Sequence, residues 1–474
     1  MAVPSIPSLL KCPHYSLFLL AFLIPSTTYA QQSTHSPSRT MTVADKAALT
    51  RALNAEDQGR SQQAEPVLLD LVSRYPASFE ATEALGLLYA EQGNFTDALP
   101  LLEKAASLSR SLAPAYANLG AAYLKLNRNE DAVRALKKAA ALDPQNAQTQ
   151  SNLGLALMQV KQPAQAAMAF SIAARKNPAD TDLLYNWALA LFDAGQLAKA
   201  GEVLGGAPNV ESSAQAQSLL GDIEEKQGHY QQAGEHMQKA ATLDPSEANI
   251  YALGLEFLRH WTFDPGIKVF EAGMSRYPDS ARLRMGLGIA KYANNDFSGA
   301  APVFAQLLAR DPDNDFYASL LGHSCSLIPD ESPGCDALEG FAQRHPQNAA
   351  ASTYAAASIL HRPSSSENLN LARTLLDRAI AADPKSSEAY YQKGIVDQQQ
   401  NLWQESIDPL EKAIALKSDF SKAHYRLGLA YSHSGQREKA QEQIALQQKF
   451  SQQEKDDLNA KFKEVTTFLV NQPQ

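Results

Sequence analysis

Asn118-Leu119-Gly120 returns as Asn152-Leu153-Gly154, and Asn186-Trp187-Ala188 follows at the same 34-residue interval. Nothing else in the chain restricts its fold so strongly. A fixed period of this length means that each segment is one supersecondary unit. No such unit can bury its apolar face alone, so neighbours must stack. The interval extends in both directions, because Gly86, Gly120, Gly154, Gly221, Gly288, Gly322, Gly394 and Gly428 each follow Leu or a similar residue in a helical stretch.

The residues between these glycines describe two helices. Small side chains recur further along each unit, at Ala98, Ala132, Ala166, Ala233, Ala300 and Ala440, and again at Ala105, Ala139, Ala173 and Ala240. Two helices packed face to face need small residues where their backbones approach, and Leu102, Leu136, Phe170 and Phe304 are placed to fill the remaining gaps. Gly59, Gly93, Gly195, Gly228 and Gly435 fall where the first helix must reverse, as a left-handed cap requires. Prolines from Pro76 to Pro384 close most units, since proline suits a helix boundary and not a helix interior. No segment alternates apolar and polar residues over strand length. The chain reads as all-α.

This pattern resembles the tetratricopeptide repeat family, whose unit is a 34-residue helical hairpin with these small and large positions. The resemblance implies a right-handed superhelical solenoid over residues 45–446, of about twelve repeats. Unit starts fall near Asp45, Phe79, Ala113, Ala147, Thr181, Ala214, Glu247, Ala281, Asp315, Ala349, Ser387 and Ser421. The second unit has Arg110 in place of its closing proline. LGGAPN (204–209) shortens the fifth, and HRPSSSEN (361–368) lengthens the tenth. Residues 447–474 read as a capping helix and tail that cover the last repeat's core.

The chain's start reads differently. YSLFLLAFLI (15–24) is an apolar run preceded by Lys11, and Thr28 and Ala30 are small enough for a peptidase. We therefore expect a signal peptide at 1–30, a polar disordered leader at 31–44, and an exported protein. A periplasmic or secreted location in a Gram-negative bacterium follows, with no stable membrane insertion after cleavage. An uncleaved anchor is the weaker alternative, because the run is short for a bilayer. Removing the signal takes Cys12 with it and leaves Cys325 and Cys335. An even count in an oxidising compartment invites a bridge across the base of the ninth hairpin; the alternative is two unrelated buried thiols.

The net charge is −9 with no basic stripe, which argues against nucleic acid. Catalysis has little support: the histidines are scattered, no metalloprotease or phosphate-loop spacing occurs, and Gly286-Leu287-Gly288 lies inside a repeat helix. His323 and Cys325 are two apart on one helix and point in different directions. His229 and His236, seven apart, read as exposed. We expect no cofactor and no metal. In the family, the residue two before the glycine faces the concave surface. Asn118, Asn152 and Asn186 would then form a ladder able to hold an extended peptide, or else bond between neighbouring helices. Tyr185, Tyr251, Tyr391 and Tyr425 fall at a position the resemblance makes an exposed part of the groove. Lys422 and Arg426 match half of the family's carboxylate clamp, but Thr353 and Ala357 stand where the other half belongs, so a solvated basic pair is the competing account. The reading is a non-catalytic scaffold of the cell envelope that binds a protein or peptide in its groove. The alternatives are a substrate-presenting subunit of an envelope enzyme or polymer-secretion machine, and a secreted carbohydrate-binding protein.

Overall fold

The structure, a computed structural model, describes residues 40–328 and 334–470, with side chains through residue 453. The expected signal segment and residues 31–39 of the expected leader lie outside the described residues, and the leader's last two residues, Val43 and Ala44, belong to a helix. The chain divides into two compact units that part between His236 and Met237. All regular structure among the described residues is helical.

In the first unit the hairpins are α1 (Val43–Asp57) with α2 (Ser61–Arg74), α3 (Phe79–Glu91) with α4 (Phe95–Leu108), and α5 (Ala113–Lys125) with α6 (Asn129–Leu142). They continue as α7 (Ala147–Gln159) with α8 (Pro163–Lys176), α9 (Thr181–Asp193) with α10 (Leu197–Gly205), and α11 (Ala214–Gln227) with α12 (Tyr230–Leu243), within which the two units part. The second unit holds α13 (Glu247–Arg259) with α14 (Phe263–Arg276), α15 (Ala281–Ala293) with α16 (Phe297–Arg310), and α17 (Asp315–Cys325) with α18 (Ala337–Arg344). After them come α19 (Ala349–Ile359) with α20 (Ser366–Ala382), α21 (Ser387–Gln399) with α22 (Ile407–Leu416), and α23 (Ser421–His433) with α24 (Arg437–Val470). From Phe79 onward, every first helix begins at the residue where the spacing places a unit start. The first begins at Val43, two residues early, because the Thr42 hydroxyl caps it by accepting from the Asp45 amide.

The closing prolines have a second role that the spacing alone does not reveal. Two residues after each of several prolines comes a short polar side chain that caps the next first helix: Ser78, Asn146, Asp180, Ser280, Asn348 and Ser386 each accept from a backbone amide of the opening turn. Proline stops one helix and the cap starts the next. Reversal within most hairpins uses a left-handed residue, which is glycine at Gly59, Gly93, Gly195, Gly228 and Gly435 but Asn127, Lys161, Trp261, Asn295 and Asn401 in five others.

Close approach explains the repeated glycine in the first helix. A Cβ on Gly154 would lie 2.5 Å from the Phe170 ring, and one on Gly120 would lie 2.4 Å from Leu136. The expected gap-fillers Leu102, Leu136, Phe170 and Phe304 are all buried at the hairpin cores. The short fifth unit is confirmed, since α10 has nine residues, and the long tenth unit gives the 17-residue α20. The expected break before a separate capping helix at 447 is absent. No glycine or proline interrupts residues 437–470, and α24 runs through them as one 34-residue helix.

Candidate functional site

Burial separates the two helices of each hairpin. Among the described residues, the polar side chains buried within helices all belong to first helices; second helices bury alanine, glycine, proline and larger apolar groups. In the first unit the polar row includes Thr82 and Glu83 on α3, Asn118 on α5, Thr149, Gln150 and Asn152 on α7, Asn186 on α9, and Gln217 on α11. A buried polar group is costly unless bonded, so each of these needs a partner.

Asn118 Nδ2 donates to Glu83 Oε1 at 3.2 Å, which links successive first helices. Asn152 Oδ1 accepts from Gln148 Nε2 at 3.3 Å, and Gln150 Nε2 donates to the Pro144 carbonyl at 2.9 Å. Gln217 Nε2 donates to the Val210 carbonyl, and its Oε1 lies 2.7 Å from His236 Nδ1. The ladder asparagines are therefore fully or almost fully buried, with Asn118 and Asn152 at 0% exposure and Asn186 at 4%. His229, seven residues from the half-buried His236, is exposed and lies 2.6 Å from Glu224 Oε2.

Sequence reasoning missed Glu83 and Glu56. Burial raises Glu83 to about 7, against the opposing hydrogen bond from Asn118. Burial, then the charges of Glu91 and Asp57, raise Glu56 to about 7, and neither of its carboxylate oxygens has a hydrogen-bond partner. The signal was available, because Glu83 occupies the repeat position that holds Ala117 one unit later.

The expected exposure of the tyrosines is corrected for three of the four. Tyr185 is 3% exposed, Tyr251 6% and Tyr391 8%, while Tyr425 is 47% exposed. The Tyr251 ring packs 6.2 Å from Phe270, with the Arg282 guanidinium over the ring at 5.3 Å. Tyr391 packs 4.9 Å from Phe420. Burial raises the hydroxyl pKa of all three. Of the basic pair, Lys422 is exposed, and Arg426 Nη1 reaches Gln398 Oε1 at 3.4 Å. Thr353, in the other half of the clamp position, is buried and donates to the Ala349 carbonyl.

Cys325 and Cys335 form a disulfide, with Cα atoms 5.8 Å apart. Cys325 therefore offers no thiolate, and the neighbouring His323 instead meets the Tyr354 hydroxyl at 2.8 Å through Nε2. Burial lowers the His323 pKa. No described helix is long and apolar enough to cross a membrane.

Stacked hairpins with small residues at each close approach and a polar row confined to first helices define a helical repeat scaffold. Tetratricopeptide repeat sequence models match residues 49–117, 151–209, 251–315 and 214–247, and a TPR repeat model matches residues 122–161. The chain belongs to the tetratricopeptide repeat family, whose members are protein–protein interaction scaffolds. No curated protein matches it in sequence. Among known structures it is similar to YrrB, described as a TPR protein with an unusual peptide-binding site, at 21% identity over 39% of this chain and 96% of that one, with a TM-score of 0.37. It is also similar to pilF of Pseudomonas aeruginosa, at 23% identity over 43% and 93%, with a TM-score of 0.35. A tetratricopeptide repeat protein from Parabacteroides merdae matches at 16% identity over 52% and 99%, with a TM-score of 0.36.

Proposed function

We propose that this protein is an exported, non-catalytic scaffold of the bacterial envelope that holds an extended segment of a protein partner along its first helices. The observation that carries the reading is the segregation of buried polar side chains onto those helices. Asn118, Asn152 and Gln150 are buried and spend their amides inside the protein, so they hold the first helices in place, and a peptide would meet exposed first-helix groups such as Tyr425 and Lys422. The disulfide supports an oxidising compartment, in agreement with the signal-like residues 15–30.

Photo-crosslinkers test the groove. Placed at Gln148 or Ser151 on α7, they should capture the partner, and at the exposed Lys137 on the second helix α6 they should not. Equal capture at both places, or capture only from second helices, refutes the groove. Export is tested separately by terminal sequencing of protein from native envelope fractions, where the mature chain should begin at Gln31. Recovery of residues 1–30 in that fraction contradicts cleavage.

A further inference from the structure

One face of the first helices changes from covered to open along the second unit. Tyr391, Ile395 and Gln398 share a face of α21 and are buried where α23 packs against that helix. One repeat later the same positions hold Tyr425, Leu429 and Ser432 on α23. Tyr425 and Ser432 are exposed, and Leu429 is only half-buried. The face that joins one repeat to the next is thus left open on α23, with a tyrosine and a leucine in contact with water. A repeat array needs such a face covered to stay soluble.

The end of α24 does not supply that cover. The helix packs on α23 as the second member of the hairpin, and Phe450 stacks 5.3 Å from His424 in the opening turn of α23. From there it continues unbroken to Val470, and among the described residues no helix follows it. Residues 451–470 therefore project by about 30 Å, at about 1.5 Å per residue. An unbroken helix cannot turn back onto the hairpin that carries it. Within this stretch Leu458, Phe462, Val465 and Leu469 follow at intervals of four, three and four, the spacing of one face of a helix. Residues 454–457, just ahead, carry three carboxylates and one lysine, whereas Lys422 and Arg426 flank Tyr425 in the sequence of α23. Two open faces of like charge would repel each other. Stripe and face instead match in apolar character and in sign.

We propose that two copies of this chain form a two-fold dimer in which the Leu458–Leu469 stripe of each covers the Tyr425–Leu429 face of the other. The exchange is reciprocal, as a closed two-fold pairing requires. It leaves neither open face in water, and it uses the projecting length of α24 that a single copy cannot fold onto itself. The tail would exclude a partner peptide from Tyr425 and Lys422. The crosslinking positions on α7 belong to the other unit, so the dimer and the groove stand or fall separately.

Sedimentation velocity of the purified protein at about 1 µM and about 100 µM reads the assembled mass, and a dimer is expected at the higher concentration. Leu458→Glu/Phe462→Glu alters the projecting stripe, and Tyr425→Glu alters an exposed side chain, so circular dichroism should be unchanged in both. Each variant should weaken self-association by about tenfold or more, the scale of one well-placed interface side chain. Mixing the two variants restores one contact of the two, because the intact tail of one copy meets the intact face of the other. The mixture should therefore associate more tightly than either variant alone. A monomer at about 100 µM overturns the proposal. It is also overturned if Tyr425→Glu dimerises like the parent, the outcome of tails pairing with each other, or if the mixture is no tighter than its components.

Discussion

Adding one methyl group at Gly154 tests the packing of the repeat directly. On α7 the new Cβ would lie 2.5 Å from Phe170 Cε1 and 2.7 Å from Cδ1 and Cζ. Carbon atoms prefer about 3.5–4.0 Å, and the ring is fully buried, so it has little space into which to retreat. Two effects oppose each other. Alanine is favoured over glycine in a helix interior by about 1 kcal/mol, which stabilises the variant. Overpacking a filled core costs about 1–3 kcal/mol, and with a ring as the neighbour we expect the upper half of that range to win. Gly154→Ala should therefore destabilise the fourth hairpin despite its better helix propensity.

A double-mutant cycle isolates the contact. Phe170→Ala alone should cost about 3–5 kcal/mol through the cavity it leaves. In Gly154→Ala/Phe170→Ala the added methyl no longer meets the ring, so the double variant should lose less than the sum by about 1–3 kcal/mol. A repeat array need not unfold as one transition, so the readout is native-state hydrogen exchange over α7 and α8, where each unit contacts only its neighbours. Effects that add to within about 0.5 kcal/mol would refute the close-approach argument. Protection lost equally from α3 to α23 would refute the solenoid argument.

Three further perturbations follow from particular residues. Cys325 and Cys335 should resist alkylation in non-reduced, denatured protein, and replacing both with alanine should cost the α17–α19 region about 2–3 kcal/mol on the chain-entropy account of a short loop; ready alkylation would rule out the bridge. Lys161 holds φ 57° in the turn after α7, where other hairpins use glycine, so Lys161→Gly should raise local stability by about 1 kcal/mol in urea unfolding, and a loss would contradict strain there. The folded pKa of Glu83, about 7, lies above its ordinary value of 4.5. Its contribution is thus fully present below pH 4.5 and falls as pH rises through 7, by at most about 3 kcal/mol. Glu83→Gln keeps the acceptor for Asn118 and should flatten that decline in α3–α5; wild type gaining on the variant as pH rises would reverse the sign and defeat the reasoning.

The period made the helix starts legible because glycine, alanine and proline occupy positions fixed by contacts inside one hairpin. Gly154 against Phe170 is such a contact, and both residues belong to the same 34-residue unit. What covers a first helix from outside its own hairpin is a different matter, since the answer lies in the next unit's sequence. Tyr251 is covered partly by Arg282 from the unit that follows, and Tyr391 by Phe420, which immediately precedes the next unit's first helix. Position within the repeat cannot distinguish a tyrosine facing a groove from one roofed by its successor, and that is why exposure was misjudged at Tyr251 and Tyr391. Tyr425 supplies the contrast. It lies on α23, and among the described residues only α24 follows it. It alone of the four keeps its exposure, at 47%. The same repeat position is therefore buried or open according to what comes after it. The departures that break the period, Trp187 among them, are the residues whose environment the repeat alone could not supply.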